Sequence, residues 1–124
     1  MKFKLRPKDA PFISTSGTSQ YVMLTPAKLV EIFRKAGDSD EYKVSGSYTF
    51  DTPNGGIITL YDWKSTTLYD DSYDETPTPE ELWSSQKHFE FNIGGDDLGK
   101  QQVEEFIDWI QLMLLNSVRF ITEE

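Results

Sequence analysis

The 124 residues are the size of one small domain, so we expect a single domain over residues 1–124. The chain has no cysteine, which excludes a disulfide framework and a thiolate metal site. The formal net charge of −9 argues against duplex DNA or RNA as a partner, because backbone binding relies on clustered Lys and Arg. The sequence shows no signal peptide and no apolar run of the ~18–20 residues that a membrane helix requires. We therefore expect a cytosolic protein without a membrane partner.

The charges are unevenly distributed along the chain. A basic N-terminal segment, residues 1–10, contains three lysines and one arginine, and six acidic side chains crowd the middle of the chain. The acidic residues are Asp70, Asp71, Asp74, Glu75, Glu80 and Glu81. The ordinary interpretation of both runs is solvated surface. The alternative for the acidic run is a phosphate mimic that blocks a nucleic-acid-binding partner.

The first third of the chain predicts two extended segments and a helix. We expect a short strand over Phe12–Thr15, a hydroxyl-rich glycine loop over Ser14–Gln20, and an extended segment over Tyr21–Leu24. Thr25-Pro26 favours a helix start, because threonine caps free amides and proline suits the first helical position. We expect this helix to end at Gly37.

A β-hairpin follows, with Asn54-Gly55 as its turn. Its first strand, 42–50, should carry Val44, Tyr48 and Phe50 on one face at a period of two. In the returning strand, 57–64, apolar side chains occupy both faces, so this strand is predicted to be central and covered on both sides.

The second half predicts a loop, a short helix, a strand and a long helix. Residues 65–77 form a surface loop, and Thr78-Pro79 begins a helix that runs through Trp83. A strand over Lys87–Ile93, with Phe89, Phe91 and Ile93 facing inward, should end at Gly94-Gly95. Asp96 or Asp97 should then cap an amphipathic helix over roughly 99–118, whose predicted apolar stripe is Val103, Phe106, Ile107, Ile110, Met113 and Leu114. The fold class is therefore predicted to be α+β, an antiparallel β-sheet with an N-terminal helix, a short middle helix and a long C-terminal amphipathic helix.

The sequence offers little for catalysis. The only histidine, His88, is predicted on an outward strand position, so no nucleophile–base pair is apparent. No cluster of His or Cys that could bind a transition metal is present, and no phosphate-loop or dinucleotide motif. The carboxylates of Asp70, Asp71, Asp74 and Glu75 could in principle bind Mg²⁺, but they lie in a run that is predicted to be unorganised. We expect no catalytic residue, no metal and no cofactor.

Several segments instead have the residue types of a binding site. The loop Ser14–Gln20 could offer amides and hydroxyls to phosphate oxygens, or it could be an ordinary turn. Gly94-Gly95 could expose helix-terminal amides to an anion, or form only a tight turn. Asn92, facing outward, could hydrogen-bond a base or ribose edge, or simply face solvent.

The end of the hairpin is the fourth such segment. Tyr61 and Trp63 could stack on a nucleotide base while Lys64 pairs with its phosphate, although such aromatic residues more often belong to the core. Because all four segments lie at strand ends or in adjoining loops, they predict one shared site.

Five segments together resemble a family of small phage-encoded proteins. They are Ser16-Gly-Thr-Ser-Gln20, Asp40-Glu-Tyr-Lys-Val-Ser-Gly46, Thr59-Leu-Tyr-Asp-Trp-Lys64, Pro79 through Trp83, and Phe91-Asn-Ile-Gly-Gly95. The resemblance covers residues 14 to 115, and its most specific parts are Tyr-Asp-Trp-Lys and Ile-Gly-Gly. The pattern is similar to that of the first-described anti-Thoeris proteins. These are phage sponges that sequester cyclised ADP-ribose signals without degrading them.

The resemblance implies a phage counter-defence protein in the host cytoplasm that binds a cyclic ADP-ribose isomer or a cyclic oligonucleotide and forms homo-oligomers. Lys64 and Arg119 would meet phosphates, one of Trp63, Phe89 and Phe91 would stack on the base, and Asn92 with Ser19 would fix the sugar. The predicted ligand-binding set is Ser16, Gly17, Thr18, Ser19, Gln20, Lys43, Trp63, Lys64, Phe89, Phe91, Asn92, Gly94, Gly95 and Arg119. Two alternatives stay open, an acidic inhibitor of a host nucleic-acid-binding or defence protein and a nucleotide-processing enzyme.

Overall fold

A computed structural model describes residues 3–7, 15–37 and 39–123, and of residues 116–123 it describes the backbone only. Nine elements follow one another in the described part. They are β1 (Lys4–Leu5), β2 (Ser16–Leu24), α1 (Pro26–Ile32), β3 (Ser47–Asp51), β4 (Ile57–Tyr61), α2 (Pro79–Trp83), β5 (Phe89–Gly95), α3 (Asp97–Lys100) and α4 (Val103–Glu123). The predicted α+β class is confirmed. The strand predicted at Phe12–Thr15 lies, apart from Thr15, outside the described residues.

The five strands form one antiparallel sheet in the order β1-β3-β4-β5-β2. The predicted hairpin is confirmed as β3 and β4, and Gly55 in its turn has φ 87°, a conformation that glycine adopts readily. β4 lies between β3 and β5, so its predicted central position is also confirmed. The first strand begins at Ser47 rather than Tyr42 because the amides of 42–46 bond to carboxylates instead of to a neighbouring strand.

One face of the sheet forms the hydrophobic core with α1 and α4. Alternate strand residues and one stripe of α4 are buried there: Val22, Leu24, Tyr48, Phe50, Ile58, Leu60, Phe91, Ile93, Val103, Phe106, Ile110 and Leu114. At roughly 25 cal/mol per Å² of apolar area, burying such side chains is the main term that stabilises the fold. The predicted apolar stripe of the C-terminal helix is thus confirmed.

The opposite face, here called the open face, carries Tyr21, Met23, Thr49, Thr59, Tyr61 and Asn92, all exposed or partly exposed. The prediction that both sides of β4 are covered is therefore wrong for most of the strand. Only its first residue, Ile57, is buried on this side, where α3 packs so closely that a Cβ on Gly99 would collide with the Ile57 carbonyl.

The N-terminal helix begins at Pro26 as predicted, but it ends at Ile32 rather than at Gly37. Gly37 instead exchanges two backbone hydrogen bonds with Ser47, at 2.9 and 2.8 Å, which extends the sheet locally. The expected side-chain cap by Thr25 is not made; its carbonyl oxygen accepts from Lys28 N and Leu29 N. The tertiary contacts of the segment after α1 therefore override its helical periodicity.

In the second half, residues 65–77 contain no helix or strand, and α2 has the predicted start with a complete capping box between Thr78 and Glu81. The predicted single helix of 99–118 is two helices, because Asp96 caps the short α3 and α4 starts afresh at Val103. Within the described residues, none of the helices combines the length and the apolar character needed to cross a membrane.

Candidate functional site

Two lysines and three aromatic rings lie together beyond the end of β4. Lys43 Nζ lies 5.5 Å from the centres of both the Tyr42 and the Trp63 rings, and Lys64 Nζ lies 5.7 Å from Trp63 and 5.1 Å from Tyr69. The Tyr42 and Tyr69 rings are 5.1 Å apart. We call these five residues the lysine–aromatic cluster. Distances below about 6 Å are those of cation–π contacts, so the rings hold both ammonium groups near one another.

The cluster is accessible to a ligand. Tyr42 is 53% exposed and Trp63 is 43% exposed, and Lys64 is also at the surface. A half-exposed indole beside two cations can stack on a flat ring while the ammonium groups bind an anion. The prediction that Tyr61 and Trp63 could lie at a surface site rather than in the core is consistent with this exposure.

A buried carboxylate fixes the backbone beneath the cluster. Asp62 is only 1% exposed and accepts from Ser45 N at 2.9 Å, Gly46 N at 3.0 Å and Ser45 Oγ at 2.8 Å. Trp83 Nε1 in turn donates to Ser45 Oγ at 2.9 Å. Burial raises the pKa of the Asp62 carboxyl, while these hydrogen bonds oppose the rise. The loop 42–46 is thus fastened to the end of β4.

Two backbone features then bring the lysines side by side. Lys64 adopts the left-handed conformation, with φ 58°, and its amide donates to the Lys43 carbonyl oxygen at 2.7 Å. Asp40 accepts from three successive amides, those of Tyr42, Lys43 and Val44, each at 2.8 Å. The pKa of Asp40 is lowered chiefly by the hydrogen bond from Val44. Asp40, Asp62 and the strained Lys64 together define the position of both cations.

Asn92 lies on the open face beside the cluster. In the register of the sheet it stands between Tyr61 on β4 and Tyr21 on β2, as predicted for an outward residue. The Tyr61 and Trp63 rings are 6.2 Å apart in an edge-to-face arrangement, so the open face continues from Asn92 to the cluster. Partial burial raises the pKa of the Tyr61 hydroxyl.

The other predicted polar segments lie further along the open face, at what we call the glycine end: Thr15–Gln20, Thr59, Gly94 and Gly95. Ser16–Gln20 is not a free loop, because it begins β2 and pairs with Gly94 and Gly95, with a β-bulge between Gly17 and Gln20. Ser19 has φ 65° in this bulge, and Thr18 Oγ1 donates to the Ile93 carbonyl oxygen at 2.7 Å. The predicted loop at Ser16–Gln20 is therefore wrong, because these residues belong to a β-strand.

Gly94 and Gly95 continue β5 rather than ending it, which corrects a second prediction. A Cβ at Gly94 would lie 2.7 Å from Thr59 Oγ1, and one at Gly95 would lie 3.1 Å from the Ile57 carbonyl oxygen. The carboxylate of Asp96 accepts hydrogen bonds from Gly99 N at 2.7 Å, in α3, and from Ile57 N at 2.9 Å, on β4. Close packing, rather than an anion site, explains this glycine pair.

The remaining residues that were predicted to contact the ligand are not placed in the cluster by the structure. Phe91 is fully buried and Phe89 packs partly buried against the core, so both rings lie on the face of the sheet opposite Asn92. Stacking of Phe91 on a ligand is therefore excluded in this conformation. The side chain of Arg119 lies outside the described residues. Tyr42, Tyr69 and Asp62 were missed as site residues, although Tyr42 and Asp62 each lie inside one of the five segments that carry the resemblance; Tyr69 lies in none of them.

Two surface hollows lie beside β2, away from the cluster. One, of about 430 Å³, lies between the bulge and the start of α4 and is lined by Gly17, Thr18, Gln20, Lys100, Gln101, Val103, Glu104 and Glu105. The other, of about 320 Å³, is lined by Met23, Leu24, Thr25, Lys28, His88, Gln111, Leu114 and Leu115. No group of three or more His, Cys, Asp or Glu side chains in the described ranges is arranged to hold a metal ion.

No protein-family model matches this chain, and no curated protein sequence matches it. The geometry of the cluster is therefore the main evidence on function.

Proposed function

We propose that the protein is a phage counter-defence sponge that binds and sequesters a cyclic nucleotide signal in the host cytoplasm without degrading it. The observation that carries the proposal is that Lys43 Nζ and Lys64 Nζ lie 5.5 and 5.7 Å from the centre of the exposed Trp63 ring. A base stacked on the indole would bring its phosphates within reach of both ammonium groups. The resemblance to anti-Thoeris proteins favours a cyclic ADP-ribose isomer or a cyclic oligonucleotide as the ligand.

Asn92 extends the proposed site along the open face. A ligand stacked on Trp63 and lying over Tyr61 would present a ribose or base edge to the Asn92 amide, which can both donate and accept. Ser16–Gln20, Gly94 and Gly95 take no part in this arrangement, because their backbone groups serve the sheet. The proposed binding set is therefore smaller than the set predicted from the sequence.

The strong negative charge of the chain opposes anion binding, but charge acts locally. At physiological ionic strength the screening length is about 8 Å, so distant acidic side chains are largely screened. The two lysines therefore make the main electrostatic contribution to the binding of a ligand that contacts them. The acidic loop after Tyr69 is the exception, since Asp70 and Asp71 follow that ring directly in sequence. We expect these carboxylates to weaken binding rather than prevent it.

Sequestration at low signal concentration needs a Kd near 1 nM, which corresponds to about −12 kcal/mol. An exposed stacking site with two cations reaches such a value only if it is preorganised and becomes enclosed. Asp40 and Asp62 provide the preorganisation, because they fix the backbone on both sides of Lys43.

Calorimetry with a panel of cyclic ADP-ribose isomers and cyclic dinucleotides tests the proposal. We expect one compound to bind tightly, and Trp63→Ala to weaken it by at least tenfold. Lys35→Gln, which replaces an exposed lysine outside the lysine–aromatic cluster, is the matched control and should leave binding unchanged. Absence of heat across the whole panel would contradict the proposal.

Mass spectrometry of the compound released by heating the complex separates a sponge from an enzyme. Intact ligand in stoichiometric yield supports sequestration. A product of altered mass, formed in excess over protein, would support the nucleotide-processing alternative instead.

A second candidate is an acidic inhibitor of a host protein. Its supporting observation is that five of the six acidic side chains of the middle segment are exposed, namely Asp71, Asp74, Glu75, Glu80 and Glu81. One variant distinguishes the two functions. Replacing Asp70, Asp71, Asp74 and Glu75 by their amides should raise nucleotide affinity slightly in a sponge, because repulsion is removed, but should abolish the activity of an acidic inhibitor.

A further inference from the structure

The turn between β3 and β4 contains the sequence of a deamidation site. Of the three asparagines in the chain, only Asn54 is followed by glycine. The backbone nitrogen of the following residue can attack the side-chain carbonyl carbon of an asparagine, and a glycine leaves that approach unhindered because it has no side chain. Both residues are exposed, and Gly55 has φ 87° with open space where a Cβ would stand. Sequence and exposure therefore favour deamidation of Asn54.

Deamidation needs water and no other reactant. The Gly55 nitrogen forms a bond to Asn54 Cγ, and the side-chain nitrogen leaves as ammonia with the proton that the Gly55 amide gives up. The product is a succinimide ring, which water opens at either of its carbonyl groups. One opening gives aspartate. The other gives isoaspartate, in which the main chain runs through the former side chain and is one carbon longer.

The folded turn engages both reacting groups in hydrogen bonds. Gly55 N, the nucleophile, donates to the Thr52 carbonyl oxygen at 3.1 Å. The Asn54 side chain donates from Nδ2 to the Leu98 carbonyl oxygen at 2.9 Å and accepts at Oδ1 from Thr52 Oγ1. Asn54 N donates to Gln102 Oε1 at 3.2 Å. Attack requires the carboxamide to rotate and the Gly55 amide to lose its proton, so these bonds must open first.

The same hydrogen bonds attach the turn to α3. Leu98 belongs to α3, and Gly56 fits so closely against this helix that a Cβ there would collide with Gly99 N. Conversion of Asn54 to an ionised acid removes the donor to the Leu98 carbonyl oxygen and puts a carboxylate in its place, which has only acceptors. Isoaspartate also lengthens the main chain of the turn. The product therefore cannot remake the original contact.

We propose that Asn54-Gly55 is a self-modification site, restrained in the folded protein by the hydrogen bonds of Asn54 and Gly55, and that its conversion detaches the turn from α3. The restraint works in one direction, because the converted side chain has no amide donor to return to Leu98. The turn precedes β4 and the lysine–aromatic cluster lies beyond its end, so the inference is independent of nucleotide binding.

Peptide mapping by mass spectrometry during incubation in mildly alkaline buffer measures the conversion. Trypsin releases residues 44–64, in which Asn54 is the only asparagine. We expect Asn54 to convert about tenfold or more slowly in the folded chain than in guanidinium chloride, because the reaction waits for the turn to open. Asn92 and Asn116, followed by isoleucine and serine, are internal controls and should convert more slowly than Asn54 in the unfolded chain.

Three outcomes of this experiment would overturn the proposal. Equal rates in the folded and the unfolded chain would show that the hydrogen bonds do not restrain the reaction. Conversion of Asn54 no faster than that of the two control asparagines in the unfolded chain would show that the sequence is not reactive. An Asn54 that stays unconverted in the folded chain would show that this protein does not modify itself.

Variants of the restraining residues test the cause of the slow rate. Thr52→Val removes the hydroxyl that donates to Asn54, so we expect conversion in the folded protein to become between about twofold and tenfold faster. Thr52→Ser keeps the hydroxyl and should keep the wild-type rate. Thr52 Oγ1 also accepts from Gly56 N at 2.8 Å, so circular dichroism checks that the valine variant is folded.

Gln102→Ala supplies a second test that leaves the turn residues themselves unchanged. It removes the acceptor of Asn54 N, and we expect it to accelerate conversion by about twofold. A rate that stays at the wild-type value in each variant that folds would overturn the proposed restraint.

Hydrogen exchange of the converted protein tests the consequence for α3. Ion exchange isolates this form, because it carries an additional negative charge. We expect the amides of Lys100 and Gln101 to exchange faster than in the unmodified protein, while the Leu82 amide of α2 stays unchanged as the control. Asn54→Asp should reproduce part of the change, since it lacks the longer main chain. Unchanged exchange at Lys100 and Gln101 in the converted form would overturn the proposed detachment.

Discussion

The lysine–aromatic cluster and the glycine end lie on the same face of one sheet, yet they use polar groups in opposite ways. At the glycine end, hydroxyls and amides bond to one another across β2, β4 and β5, as Thr15 Oγ1 and Thr59 Oγ1 do at 3.2 Å. In the cluster, the buried groups bond to each other and leave two ammonium groups and three rings facing outward. Polar and aromatic side chains thus indicate a binding site only where they are not already hydrogen-bonded or packed within the protein itself.

The largest expected effect concerns the buried carboxylate under the cluster. Asp62→Ala leaves two amides and the Ser45 hydroxyl without their acceptor, so we expect the free energy of unfolding to fall by about 3 kcal/mol. Urea denaturation measures the change. Asp62→Asn, which keeps an acceptor oxygen, should lose less, and equal losses in both variants would show that the hydrogen bonds contribute little.

The next effect tests the glycine end. Gly94→Val introduces a Cβ 2.7 Å from Thr59 Oγ1, and we expect a loss of about 2 kcal/mol through overpacking. Gly17→Val, at the residue of β2 that pairs with Gly94, is the matched control, because the nearest neighbour of its Cβ would be 3.8 Å away. Thermal unfolding of both variants checks this. A tolerated Gly94→Val would mean that the glycine is not needed for packing.

A smaller effect is expected at the cations. Lys43→Gln and Lys64→Gln should each weaken binding of the nucleotide ligand by about 1 kcal/mol, roughly fivefold, without changing stability. Calorimetry at two salt concentrations supplies the measurement, and the loss should shrink at high salt. If neither variant changes affinity, the ligand binds elsewhere.

The smallest effect is the pH dependence of Asp62. Burial raises the pKa of Asp62 in the folded protein above the ordinary value of 3.8, so the folded protein binds this proton more tightly than the unfolded chain does. Its contribution to stability is fully present below pH 3.8 and is lost as the pH rises through the folded pKa. The stability of the wild type relative to Asp62→Asn should therefore fall as the pH is raised from below 3.8 towards neutrality, and a rise would contradict this sign.

Local signals were sufficient for some elements. Thr78-Pro79 predicted the start of α2 correctly because a threonine cap and a proline at the first helical position act only on neighbouring residues, and Asn54-Gly55 predicted the turn for the same reason. The alternation of Phe89, Phe91 and Ile93 predicted their shared face. Gly94-Gly95 misled because glycine marks a turn and a close strand contact equally well.

The candidate site was only partly accessible to such reasoning. Lys43, Trp63 and Lys64 were identified from their motif, but Tyr42 and Tyr69 are separated from Trp63 by loops whose path no local signal fixes. Whether Phe91 faced a ligand or the core depended on which side of the sheet the helices cover.

The sequence by itself determined the fold class, the hairpin, α2 and the apolar stripe of α4, since these depend on periodicity and on contacts between near neighbours. Only the tertiary structure decided where the first helix ends, that the glycine pair continues a strand, and which polar groups remain available to a ligand. The physical reason is that a buried carboxylate such as Asp62, or a close contact such as that of Gly94 with Thr59, joins segments far apart in the chain.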